Sequence, residues 1–579
     1  MPSLACWTCR LRRKKCDRTQ PICRSCANLN ISCCYSKDRP DWMDGGEKQM
    51  QMTQAIRAQV KQGTSTRRGN EATIRVFSLH DGQHQQTETT PARRETSQDN
   101  SSVDQTSSSS PASTHVVSQE DTNEFLTTLY LDTVSPAMFP LYEPATLSGG
   151  RCWVQTQLKS NKAIYHSALS LSAHYFTLLL AKDANHTLRT PCEQHVWDTL
   201  AMHMDSAIHV IKQDMDRYHK ESSQSDVFCK LNVLGGVTQY LIFATAMPQD
   251  AGWKMHLSAA LTLLDEVFQS HGMENDEYSL EQVLQAMTKP SIFDGIHLGF
   301  HVWNKDQAAF QFFTSFLLYV DIMASIQLGK PPRFQHHHRG LIAGCEVPMA
   351  LDGQPRSLLE IESYVGCPGW ILTILGEICT MEIAKHFARR EGVDFMTDAK
   401  AENHELMKRL RQGMTEVDAT IQSEFLTTQL DTIRLGEQHQ KTQAKKLAVI
   451  TKAWLHATMI YLSVVVDGWQ PGNAFNRGNV TSILNILDIL SPNLSIRSLM
   501  WPVCVCGFLA SQEQEEIFRN LVSSLGPLQA LGPARQAIRL MEKLTERCKF
   551  SLEACEEKQV ICNLVSLKLL HAHIRNDML

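Results

Sequence analysis

Residues 6–34 read CWTCRLRRKKCDRTQPICRSCANLNISCC. Six of these cysteines fall into a frame, Cys6-x2-Cys9-x6-Cys16 and then Cys23-x2-Cys26-x6-Cys33. Each member of the first triplet recurs 17 residues later, so the frame is an internal duplication. A C-x2-C pair is short enough to bring both sulfurs to about 2.3 Å from one zinc ion, and two such pairs call for two ions. Two tetrahedral ions need eight metal–sulfur bonds, and six cysteines supply them only if two thiolates bridge both metals. The ligand set is therefore Cys6, Cys9, Cys16, Cys23, Cys26 and Cys33. Cys34 adds an adjacent thiol; spacing alone lets either neighbour ligate, and the duplication favours Cys33. The competing reading is a disulfide knot. It needs an oxidising compartment and strands one of the seven cysteines in this stretch. A single structural zinc would need only four.

The charge is as uneven as the cysteines. Residues 1–40 carry nine Lys or Arg against two Asp, a net +7, while the other 539 residues carry −12. Six thiolates with two Zn2+ add −2 and still leave about +5 on the head. Basic charge so concentrated meets a polyanion. Once metal holds the frame, the segment after Cys9 is expected to form a short helix whose far end carries Arg12, Arg13, Lys14 and Lys15. Arginine makes bidentate bonds to O6 and N7 of guanine in the major groove, and Lys and Arg neutralise phosphates. The same basic run also serves as a nuclear import signal, which places the chain in the nucleus.

The head closely resembles the fungal zinc binuclear cluster transcription regulators. The likeness extends past the cysteines to CRLRRKKCD, to Pro21 between the halves and to Tyr35 after the last ligand. The resemblance implies that Cys6 and Cys23 are the bridging thiolates and that two Zn2+ are held per chain. It implies double-stranded DNA with short G/C-rich half-sites such as CGG as partner. It also implies base reading by Arg12 and Arg13, Arg13 foremost, with Arg10, Lys15 and Arg18 on phosphates.

The chain is 579 residues long, room for two to four domains, and 43% hydrophobic, enough for a sizeable core. The opening MPSLACWTCRLRRKKC has no apolar run ahead of its charges, so no secretory signal is expected and the 18 cysteines read as thiols or metal ligands. The most apolar stretch, Leu447 to Trp469, is interrupted by Lys452, His456 and Asp467, and no membrane partner is expected. Beyond the cluster (1–40) comes a short linker helix (41–62). Met52, Ile56 and Val60 form a stripe on it, the candidate seam for a homodimer. A strict spacing of four drifts off a 3.5-residue seam, and two heptads fall short of a coiled coil. Residues 63–121 turn to Ser, Thr, Gln and Gly, including SSVDQTSSSSPASTH, and read as a disordered linker.

Residues 122–579 read as a large all-α region. Phe310, Phe313, Leu317, Val320 and Ala324 recur at helical spacing and stop at Gly329-Lys330-Pro331-Pro332, and Leu447, Ile450, Trp454, Ala457 and Tyr461 do the same. Pro290, Pro348 and Pro355 mark breaks. This body is similar to the helical regulatory region of the acriflavine-sensitivity control type. The likeness rests on RPDWMDGGEKQ, FLTTLYLDTVSPAMFPLY, GRCWVQTQLKSNKAIYHSALSLSAHY, GWKMHLSAALTLL, FFTSFLLYVDIMASIQLGKPPRF and WLHATMIYLSVVVDGW, and it implies control through transcription machinery, co-regulators or ligands. His336, His337 and His338 read as a solvated loop, since consecutive residues diverge and no Cys or Glu completes a metal set. Cys504 and Cys506 read as buried thiols. Phe310, Phe312, Phe313 and Phe316 read as core, with an effector pocket as the alternative.

The reading is a sequence-specific DNA-binding regulator of RNA polymerase II genes, in the metabolic or secondary-metabolite class. The rival is a nuclear scaffold or chromatin-associated protein whose cluster mediates protein contacts. No P-loop, dinucleotide glycine fingerprint, HExxH or nucleophile elbow supports an enzyme.

Overall fold

Cys6 starts the first helix by capping it, its Sγ accepting the Cys9 amide at 3.3 Å. The structure is a computed structural model; the described residues lie within 5–56 and 118–524, with short stretches inside each range left out. The linker at 63–117, Val60, Arg13, Pro21, Pro348 and Pro355 fall outside the described residues. The chain divides into two units, Met1–Thr114 and His115–Leu579.

In the head, α1 (Trp7–Leu11) and α2 (Arg24–Ala27) follow Cys6 and Cys23, one per half of the duplication. The two halves close alike. The Lys14 amide donates to the Cys9 carbonyl at 3.0 Å, and 17 residues on the Ile31 amide donates to the Cys26 carbonyl at 3.2 Å. These six-to-one bonds satisfy carbonyls that a short helix leaves open. A third helix, α3 (residues 47–54, with 56 also helical), is preceded by Asp44, whose carboxylate accepts the Gly46 amide at 2.7 Å and the Gln49 amide at 3.2 Å.

The body is helical. It opens with α4 (Gln119–Leu129), capped by Ser118, whose hydroxyl accepts the Asp121 amide at 3.0 Å, three residues before the composition break at Thr122. A π-helical turn (Tyr130–Val134) leads into α5 (Ser135–Met138). Then come α6 (Cys152–Ser160), α7 (Lys162–Leu180), α8 (Pro191–Glu221), α9 (Val227–Ala246), α10 (Trp253–His271), α11 (Leu280–Ala286) and α12 (Lys305–Leu328). After them follow α13 (Ile361–Val365), α14 (Gly369–Glu391), α15 (Met396–Thr427), α16 (Leu435–Asp467), α17 (Ala474–Ile489), α18 (Met500–Leu509) and α19 (Gln512–Ser523). Two short hairpins interrupt the helices, Met273–Glu274 with Glu277–Tyr278 and Glu346–Val347 with Arg356–Ser357.

Helix α12 is the hub, touching α6, α9, α10, α13 and α14; α16 plays that part later, against α14, α15, α17 and α18. The ends of α12 are written in its sequence. Asn304 and Gln307 form a reciprocal capping box, and Gly329 closes the helix in the left-handed region at φ 61°. By length and composition α9, α12 and residues 445–467 of α16 are apolar enough to cross a membrane, more than the interrupted run at Leu447 suggests. Most of each apolar window is covered by neighbouring helices, as expected of helices that are hydrophobic all round.

The phenylalanines of α12 belong to this core. Phe312 meets Phe139 edge-on at 4.9 Å and lies 5.1 Å from Trp153. The cavity beside them, lined by Tyr130, Phe139, Trp153, Phe312 and Phe313 among others, holds about 10 Å3, room for one water and no effector. Cys506 is buried and Cys504 half-buried; burial pushes the Cys504 thiol up to about 12. Of the histidine triplet, His336 is exposed as expected of a solvated loop, whereas His337 and His338 are not. Residues Gln335–His337 form a 3-10 turn, His337 stacks on Tyr278 at 3.8 Å, and His338 is only 2% exposed. Gly376 explains the burial: a Cβ there would stand 3.3 Å from His338 Nδ1, so a glycine on α14 leaves room for the ring.

Candidate metal centre and nucleic-acid interface

The first helix brings Cys6 and Cys9 together and the second does the same for Cys23 and Cys26; all four are fully buried. Their sulfurs pack at tetrahedral spacing. Cys6 Sγ lies 3.7 Å from Cys23 Sγ and 3.9 Å from Cys26 Sγ, and Cys9 Sγ lies 3.6 Å from Cys23 Sγ. Bonds of about 2.3 Å to one tetrahedral zinc put sulfurs about 3.8 Å apart. A fourth approach, Cys9 to Cys26 at 3.8 Å, draws the two pairs into one knot.

Two sets of four sulfurs result, each with all its atoms within 4.8 Å of one another: Cys6, Cys9, Cys16 and Cys23, and Cys6, Cys23, Cys26 and Cys33. The sets share Cys6 and Cys23. Cys34 belongs to neither among the described residues. Its backbone instead ties the end of the head to α1: its amide donates to Thr8 Oγ1 at 3.1 Å and its carbonyl accepts the Trp7 amide at 2.8 Å. Burial raises the thiols of Cys6, Cys9 and Cys26, the opposite of what a ligand requires, while hydrogen bonds outweigh burial at Cys23, which is lowered, and at Cys16, which is lowered to about 6 with Tyr35 the leading donor. A buried set of thiolates needs cations to offset its charge, and the donor set, its spacing and its burial all fit zinc. Tyr35 adds a support, its hydroxyl 3.5 Å from Cys16 Sγ.

Apolar side chains complete the module. Ile31 and Ile56 are buried with the four central cysteines, and Leu11, Tyr35 and Met52 pack around them. The stripe of Met52 and Ile56 on α3 thus faces the cluster of its own chain. A short amphipathic helix gains most of its stability from such docking. Thr8, Ile31 and Ile56 are the supports that the cysteine frame does not announce. Ile31 had one signal: it occupies the repeat position of Lys14, an apolar residue in place of a basic one.

The basic residues lie outside this core. Arg10, Lys14, Lys15 and Arg18 are exposed, and Arg12 is half-buried at the C-terminus of α1. The Arg10 guanidinium lies over the Trp7 ring at 4.7 Å. The loop after α1 is held from the second half, where Ser25 Oγ donates to the Lys15 carbonyl at 3.0 Å. Arg18 adopts a left-handed φ of 63°, which turns the chain out of the basic run.

Compared with known families, residues 4–42 match the fungal Zn(2)-Cys(6) binuclear cluster domain, and residues 124–544 match the fungal specific transcription factor domain. Among curated relatives, transcription factor dibT of Pestalotiopsis microspora is 31% identical over 93% of this chain and 94% of its own length. Pestheic acid cluster transcriptional regulator 3 of Pestalotiopsis fici is 22% identical over 90% of each chain. The ustiloxin B cluster transcription factor ustR of Aspergillus flavus is 22% identical over 90% of this chain and 89% of its own. No solved structure matches.

Proposed function

The chain belongs to the fungal transcription factors that join a Zn(2)-Cys(6) binuclear cluster to a fungal specific transcription factor domain, and on that premise we infer how its head divides the work. It is a DNA-binding transcription factor, and its cluster domain binds two zinc ions. One ion would be held by Cys6, Cys9, Cys16 and Cys23 and the other by Cys6, Cys23, Cys26 and Cys33, so that Cys6 and Cys23 would serve both. The observation that carries this assignment is the overlap of the two sulfur sets at those two residues. Zinc supplies the charge that keeps six thiolates together in a dry core, and metal binding becomes the folding energy of a head too small to fold by burial.

The cluster presents the loop after α1 to the major groove. Arg12 and Arg13 read guanines in G/C-rich half-sites, and Arg10, Lys14, Lys15 and Arg18 hold phosphates. Met52 and Ile56 of the α3 stripe pack on the cluster, which supports a head that docks as a single copy rather than through a coiled coil. The chain works in the nucleus with co-regulators and has no catalytic role. The names of relatives, two of them regulators of pestheic acid and ustiloxin B clusters, support a secondary-metabolite gene cluster as its target.

A gel shift with the zinc-loaded full chain tests this reading. G/C-rich half-site DNA should be retained over scrambled DNA. Arg13→Ala should cost about 1–3 kcal/mol on the preferred site and relax guanine preference. Lys15→Ala should weaken all sequences alike and flatten the salt dependence by about one phosphate contact. Equal binding to every sequence, unchanged by Arg13→Ala, would favour a scaffold whose cluster contacts protein.

A further inference from the structure

The body holds a second recess, unlike the one-water cavity in its core. It is an open cleft of about 300 Å3 between α14, α15 and the segment at 335–343, at the lower end of the size range of small-molecule sites. Two glycines shape it. On α15, a Cβ at Gly413 would fall 2.2 Å from Trp370 Cη2, so the indole of α14 rests directly on the α15 backbone. On α14, Gly376 admits His338, as described above. The segment that lines the third side is irregular, a 3-10 turn followed by a π-helical turn, Arg339–Ala343. Such π turns recur at functional sites.

The lining has a definite charge. Trp370 and Glu377 lie on one face of α14, seven residues apart, and Arg409 reaches across from α15. Arg409 is already matched: its two terminal nitrogens donate to the Glu377 carboxylate at 2.5 and 3.2 Å. Arg339 and His336 are exposed at the rim, and no carboxylate among the described residues pairs with Arg339. His338 contributes a buried, neutral ring, its pKa held down to about 4 by burial and by the neighbouring His337 and His336. Its Nε2 is buried without a hydrogen-bond partner in the structure. The recess thus offers a guanidinium with no carboxylate partner among the described residues, the ring of His338 and an indole.

We propose that this cleft binds a small organic carboxylate, with its charge on Arg339 and its apolar body against Trp370. A guanidinium recognises a carboxylate through paired N–H donors, and the indole supplies apolar area that an inorganic anion does not use. The ligand bridges α14, α15 and the 335–343 segment. This assignment stands independently of the DNA reading.

The test uses the full chain and indole-3-acetate as probe, with its neutral amide and inorganic phosphate as the other arms, followed by calorimetry. Indole-3-acetate should bind saturably. The amide should bind roughly tenfold more weakly or worse, because it forfeits a charge-assisted pair. Phosphate at millimolar concentration should not displace the probe. Arg339→Ala, a change at an exposed position, should lower affinity for the acid by roughly tenfold and leave affinity for the amide unchanged. Arg217→Ala on α8, outside the cleft, should leave both unchanged. Equal affinity for acid and amide overturns the proposal. So do displacement by phosphate, an unaffected Arg339→Ala protein, and the absence of saturable binding up to about 10 mM acid.

Discussion

Replacing Ile56 with alanine tests whether the helix after the cluster is part of it. Ile56 is 4% exposed and packs with Cys6, Cys9, Cys23, Cys26 and Ile31. Truncating a buried isoleucine to alanine costs about 2–5 kcal/mol. In a head whose metal-binding energy is its folding energy, that cost appears as zinc affinity. At about 1.4 kcal/mol per factor of ten, the combined affinity for the two ions should fall about 30-fold to several thousand-fold. Chelator titration of the full chain, with released zinc followed by an indicator dye, reads the shift. Met50→Ala is the matched control: Met50 is on the same helix but 61% exposed, and the change should stay within about 0.5 kcal/mol. Superimposable release curves for Ile56→Ala and Met50→Ala would refute the docking of α3 on the cluster. A homodimer seam has a different signature, zinc retention that rises with protein concentration. Docking within one chain predicts retention independent of concentration.

Two further outcomes follow from the body. Burial raises the Glu382 carboxyl to about 7, with Tyr461 Oη donating to it at 2.8 Å, and burial raises Asp321 to about 6. A carboxyl whose folded pKa is raised contributes stability below its unfolded pKa and loses it as pH rises through the folded value, so these two carboxyls should cost stability between about pH 4 and 7, against the opposite contribution of His174, His203 and His338, which burial holds down to about 4. Glu382→Gln should remove the Glu382 share alone, so the melting temperature of the unaltered chain minus that of the variant should fall as pH rises from about 4 to 7; a difference independent of pH would show that Glu382 is not such a group. Gly413→Ala would drive a methyl group into Trp370 and should cost about 1–3 kcal/mol in a thermal melt. Gly478→Ala, whose added carbon meets nothing within 4 Å, should leave stability equal or higher, and equal melts for the two variants would contradict the close contact of α14 with α15.

The cysteine frame was legible because ligand spacing is a local constraint: two residues between cysteines decide whether both sulfurs reach one metal. The end of α12 was legible for a similar reason, since Gly329 both stops the helix and takes up the left-handed φ there. What escaped the sequence depends on residues far apart in the chain. The stripe of Met52 and Ile56 announces an apolar face but not what covers it, and the cover turns out to be the cluster itself. Three consecutive histidines look solvated until Gly376, on another helix, provides a slot for His338. The cleft at Trp370 likewise depends on Gly413, which in sequence is only a glycine inside a helical run. Arg13, the residue on which base reading rests most, lies outside the described residues, so its role stands on the sequence resemblance and the gel shift.

The most direct test of the shared-thiolate cluster is zinc counting by native mass spectrometry on the full chain and two single variants. Cys33 belongs to one of the two sulfur sets, while Cys34 spends its backbone on Thr8 and Trp7. Two zinc ions should be found on the unaltered chain and on Cys34→Ser, and fewer than two on Cys33→Ser. One zinc on the unaltered chain, or loss of metal from Cys34→Ser with Cys33→Ser keeping both ions, would contradict it.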